Sequence, residues 1–84
     1  MKTTTYTVGE TALLVVPARQ YASRTVYLDP LAQDVYIGGS NVTTATGLKL
    51  TKNTIAPFII PPNETLYAIV ATGTAPLTVL EPTT

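Results

Sequence analysis

The chain has 84 residues with no cysteine and no histidine, which excludes a disulfide framework, the commonest zinc ligands and a histidine base. Its five cations and five anions cancel, and only 12% of its residues are charged, so it lacks the basic stripe that neutralises phosphates and no nucleic-acid partner is expected. A hydrophobic share of 45% is too high for a disordered chain, and the apolar runs are too short for a membrane-spanning helix.

Thr3 to Val8 alternates weakly and reads as an edge strand, punctuated by Gly9-Glu10. Thr11 to Val16 is apolar without alternation, which predicts a strand covered on both faces. Pro17 ends that strand or places it at an edge. Ala18 to Ser23 is too short for an independent helix and reads as a loop. It carries Arg19 and Tyr21, two residue types enriched at interfaces.

Arg24 to Asp29 predicts a strand with Val26 and Leu28 on one face and Thr25 and Tyr27 on the other. Asp29-Pro30 opens a turn, and Asp34 to Ile37 returns as a strand with Val35 and Ile37 facing one way. These two strands read as a hairpin. Gly38-Gly39 breaks the second strand, and one of the two glycines is expected to take a positive φ. Val42 then dips inward, Gly47 resets the direction, and Leu48 and Leu50 share one face.

Thr51-Lys52-Asn53 is a polar turn. Thr54 to Ile60 is a strand whose Pro57 makes it an edge or bulges it. Pro61-Pro62-Asn63-Glu64 is a turn signal. Thr65 to Ala71 predicts a central strand, with Leu66, Ala68 and Val70 on its core face. After the turn at Thr72-Gly73-Thr74, Pro76 to Glu81 returns with Leu77 and Val79 inward. Pro82-Thr83-Thr84 reads as a frayed tail over 82–84, and residues 1–8 can extend as an N-terminal arm.

Short strands with turns every eight to twelve residues predict an all-β fold, a small β-sandwich of jelly-roll type in one domain over 1–84. The alternative is an immunoglobulin-like Greek key. A domain this small hides only about 60% of its unfolded surface. With disulfides and common metal ligands excluded, association with further copies is the remaining staple. The N-terminal residues lack the apolar centre of a signal peptide, so synthesis in a cytoplasm is expected.

No constellation announces catalysis. Asp29 and Asp34 flank one turn and could pair as carboxylates, but Asp29 before a proline also reads as a turn cap. Gly38-Gly39-Ser40 lacks the Lys-Ser or Lys-Thr step of a phosphate loop. The chain therefore reads as no enzyme, with no cofactor and no metal. If Tyr27 and Tyr36 lie opposite each other on their hairpin, they form an aromatic patch. That patch either stabilises the sheet or faces a partner. Tyr6, Arg19, Tyr21, Tyr27 and Tyr36 are the candidate interface residues, Tyr6 through the arm and Arg19 and Tyr21 through the loop.

Val35 to Gly39 with Val42-Thr43 and Gly47-Leu48, followed by Leu66 to Ile69, Gly73-Thr74-Ala75 and Val79-Leu80-Glu81, resembles small accessory structural proteins of tailed bacteriophages, of the capsid decoration (cement) or head-fibre kind. The resemblance runs over residues 24–81. It implies a β-rich, non-enzymatic protein, commonly a trimer, seated on the virion exterior and contacting the major capsid protein. It brings no catalytic residues, and residues 1–20, which it does not cover, are left as candidates for attachment. A carbohydrate-binding module, or a head or tail fibre component, is the alternative.

Overall fold

The computed structural model describes residues 2–18 and 23–81. Among them are eight strands: β1 (Lys2–Val8), β2 (Leu13–Val16), β3 (Arg24–Pro30), β4 (Val35–Gly38), β5 (Leu48–Leu50), β6 (Ala56–Ile60), β7 (Leu66–Ile69) and β8 (Ala75–Glu81). They form two four-stranded sheets, ordered β1-β8-β3-β6 and β2-β7-β4-β5.

The pairing is that of one long hairpin, rolled up. Around the segment 39–47, β4 pairs with β5, β3 with β6, β2 with β7 and β1 with β8, all antiparallel. Rolling the hairpin adds the contacts β3–β8 and β4–β7. This is the strand order of a jelly roll, and it decides against the immunoglobulin-like alternative.

Burial follows the pleat. Along β3, Arg24, Val26, Leu28 and Pro30 are buried while Thr25 and Tyr27 are exposed, and along β8 Ala75, Leu77, Val79 and Glu81 are buried. Both strands are central in the first sheet, which is why their period of two is cleanest. The core between the sheets is rich in valine, including Val8, Val15, Val16, Val26, Val35, Val70 and Val79, with Leu28, Ile37 and Leu77. β-branched side chains suit such a pleated, enclosed surface. Two charged residues are also buried among the described residues, Arg24 and Glu81. The Arg24 guanidinium donates to the Pro17 carbonyl.

Hydrogen bonds tie together the four connections at one end of the sandwich. Val70 N–H donates to Gly9 O at 3.0 Å, Gly73 N–H to the Glu10 carboxylate at 2.7 Å, and Asn53 N–H to Pro30 O at 2.6 Å. Gln33 Nε2 donates to Thr72 O at 3.0 Å. The tight reversals at Asn53, Asn63 and Gly73 use positive φ, at 61°, 64° and 66°.

Several local expectations are corrected. β3 and β4 are not a hairpin: both flanks of β3 are taken, by β8 and β6, and the chain crosses to the other sheet before β4. β2 is not covered on both faces: it lies at an edge, one of the two outcomes Pro17 allowed, and Leu14 is exposed. A register shift between Leu14 and Val16 lets the consecutive Val15 and Val16 both reach the core. Gly38 and Gly39 keep negative φ. Gly38 belongs to β4, and a β-carbon there would stand 3.0 Å from Val42 Cγ2, so close packing is what favours glycine. Leu66 is half-buried rather than fully buried, and Leu48 is exposed although Leu50 is buried. Lys2 to Val8 is no free arm but a full-length partner of β8. The tail 82–84 lies outside the described residues.

Candidate functional site

The outer face of the β1-β8-β3-β6 sheet is built by the residues that alternate away from the core. The register sets them in rows. Thr3, Leu80, Tyr27 and Pro57 lie side by side on β1, β8, β3 and β6. The next row carries Thr5, Thr78 and Asp29, and on the other side Thr25 stands beside Ile59. Thr5 and Thr78 share a hydroxyl–hydroxyl hydrogen bond at 3.3 Å. Pro57 is accommodated because β6 is an edge strand, where a missing N–H leaves no ladder broken on the far side.

Asp29 is the single charged side chain in these rows. Three apolar side chains of this face are open, Tyr27 at 41%, Ile55 at 64% and Ile59 at 72% exposed, while Leu80 is half-buried. Together Thr3, Tyr27, Asp29, Ile55, Thr78 and Leu80 line an open groove of about 330 Å³. Its walls are mainly carbon. Polar contact is available only from threonine hydroxyls, the Tyr27 phenol and the Asp29 carboxylate. Such a surface can bind through apolar burial and a few directed hydrogen bonds. Among the described residues, no group of three or more acidic, cysteine or histidine side chains could hold a metal ion.

The opposite face of the sandwich differs. On the β2-β7-β4-β5 sheet, Tyr36 stands beside Ile69 and Lys49, and Gly38 beside Tyr67, which makes the two tyrosines diagonal neighbours. Both are half-buried, and Ile69 is nearly covered. At the rim of this sheet Asp34 accepts the Lys52 backbone N–H at 2.9 Å and lies 3.3 Å from the Lys49 ammonium. The Lys52 N–H, opposed by some desolvation and helped by Lys49, holds the Asp34 carboxyl below its usual range.

The expected interface residues are therefore dispersed. Tyr27 lies in the groove. Tyr36 is on the other sheet, so the expected Tyr27–Tyr36 patch does not exist, because β3 and β4 are not neighbours. Tyr6 points inward from β1 and packs, half-buried, against the core. Arg19 and Tyr21 lie outside the described residues. Asp29 and Asp34 do not meet either: the first is on the groove, the second is engaged by Lys49 and Lys52. Sequence reading overlooked Ile55, Ile59 and Leu80. The signal was present, since placing Leu77 and Val79 inward puts Leu80 outward. Its value became visible only once β6 and β8 were known to flank β3.

No protein-family model, no curated protein and no solved structure matches the chain.

Proposed function

We propose that the chain is a non-enzymatic structural protein of a tailed-bacteriophage virion that binds the outside of an assembled capsid shell and stabilises it. The major capsid protein is its partner, and the outer face of the β1-β8-β3-β6 sheet is its contact. The observation that carries this reading is the open, nearly uncharged face around Tyr27, Ile55 and Ile59. Contiguous exposed apolar surface marks interaction sites on small proteins. The resemblance of residues 24–81 to decoration proteins supplies the kind of partner. A ligand that binds the assembled shell and not its free subunits shifts the equilibrium toward the shell by mass action.

The attachment is apolar and hydrogen-bonded, so its salt dependence is mild. The test adds purified chain to shells that lack it and measures occupancy and shell melting at low and high salt. Saturable binding with a raised melting temperature at both salts is the expected result. No binding, or binding lost at modest salt, overturns the proposal.

A second reading, carbohydrate binding, is favoured by one detail. An exposed Tyr27 ring beside the Asp29 carboxylate and the Thr78 hydroxyl is the pairing of stacking platform and hydrogen-bonding groups that a sugar ring needs. A glycan array decides it: signal abolished by Tyr27→Ala supports this reading, and a blank array removes it.

A further inference from the structure

The two sheets have four edge strands, and they are not alike. An exposed edge presents unpaired N–H and C=O groups, and proteins blunt edges with proline, charge, bulges or short length. β6 carries Pro57 as the second of its five residues. β2 is four residues long, has a register shift and is followed by Pro17. β5 is three residues long with Lys49 in the middle. β1 has none of these devices in its interior. It is seven residues long, pairs with β8 without a register shift from Lys2 to Val8, contains no proline, and has its one charge at its first residue.

β1 is also complementary to itself. If two copies run antiparallel about Thr5, the whole strand is used. Thr5 then faces Thr5, Thr3 faces Thr7, Thr4 faces Tyr6 and Lys2 faces Val8 in the other copy. No like charges oppose each other. The outward side becomes a threonine ladder, continuing the Thr5–Thr78 contact already present within one chain. Threonine pairs across strands are favourable. On the inward side, the half-buried Tyr6 ring gains the other copy's Thr4 as cover.

We propose that β1 is a dimerisation edge, pairing antiparallel about Thr5 with β1 of a second copy and joining two four-stranded sheets into one continuous sheet. The contact is isologous, as a two-fold requires. It does not rest on what the outer face binds. It gives a two-fold where the phage resemblance implies a three-fold, so the two differ in a measurable mass.

The test compares molar mass in solution for the native chain, Thr5→Lys, Thr5→Glu and their mixture. The native chain is expected at the mass of two chains. Each charged variant, which sets like charges face to face, falls to one chain, and the equimolar mixture returns to two. Ile59→Lys, on the outer face of the β6 edge, stays at two. A native mass of one or three chains, or Thr5→Lys left at two, overturns the proposal.

A cross-linking arm keeps the test open if the charged variants unfold. The chain has no cysteine, so any disulfide in Thr5→Cys reports the introduced residue alone. Under oxidised glutathione Thr5→Cys cross-links into dimers far faster than Ile59→Cys. Equal rates overturn the proposal.

Discussion

Val42 lies over Gly47 so closely that a β-carbon on the glycine would stand 2.9 Å from the valine Cγ2. The same β-carbon would meet Tyr36 Cβ at 2.8 Å and the Thr43 carbonyl at 3.0 Å. Two of these three neighbours cannot swing aside, one being a side-chain root and the other backbone. Gly47→Ala should therefore cost about 1–3 kcal/mol, the range of an overpacked site. Gly39→Ala, whose nearest neighbour would be Asn41 Oδ1 at 3.5 Å, should stay within about 0.5 kcal/mol of the native chain. Urea unfolding of the two variants checks the contrast.

The core strands should show a graded response. Leu77 on β8 is fully buried, whereas Leu66 on β7 is half-buried. Leu77→Ala should cost about 2–5 kcal/mol, and Leu66→Ala clearly less. Denaturant melts that rank the two the other way would contradict the burial described for β7 and β8.

Asp34 gives the fold a dependence on acid. Its carboxyl is held below the usual range in the folded state, first by the Lys52 N–H and then by Lys49. A group with a lowered folded pKa contributes stability above its unfolded pKa and loses it as pH falls through the folded value. The native chain should thus be more stable than Asp34→Asn near neutrality. The gap should begin to close once pH drops below the ordinary carboxylate range, near 3.8. Thermal melts of both proteins from neutral to strongly acid pH measure it. A gap that stays constant would show that the Lys52 N–H and Lys49 do not discriminate the ionised form.

On the outer face, Ile59 is 72% exposed and adds little to the fold. Ile59→Asp should change stability by no more than about 0.5 kcal/mol. It should nonetheless abolish the proposed shell binding, because it places a charge in the apolar part of the proposed contact. Equilibrium unfolding and shell occupancy, measured on one preparation, separate the two effects.

The strands themselves were legible in the sequence. β3 and β8 declare themselves through strict alternation, and Pro57 marks β6 as an edge before any pairing is known. The neighbours of each strand were not legible. Adjacent strands joined by a short connection resemble a hairpin, and nothing within Asp29 to Asp34 says that the chain changes sheets there. The proper partner of β3, β8, lies at the far end of the sequence. The error carried into the candidate site. A β3–β4 hairpin would set Tyr36 beside Tyr27, whereas the actual flanks of Tyr27 are Leu80 and Pro57. The glycines show a similar limit: Gly38 and Gly47 look like turn formers, but their requirement comes from close neighbours, Val42 for Gly38 and Tyr36, Val42 and Thr43 for Gly47, which no local pattern reveals.

Nested pairing gives the chain an economical order of assembly. Closing β4 on β5 requires only the segment 39–47 to bend back, and each later pair, β3–β6, then β2–β7, then β1–β8, closes only the connections added since the last. Bringing β1 to β8 first would close the whole span between Val8 and Ala75, at about 2 kcal/mol more loop entropy. Folding that begins at the tip would put Val42 and Gly47 in the nucleus, so damage there is expected to slow folding. Damage in β1, the last strand to dock, acts chiefly by speeding unfolding.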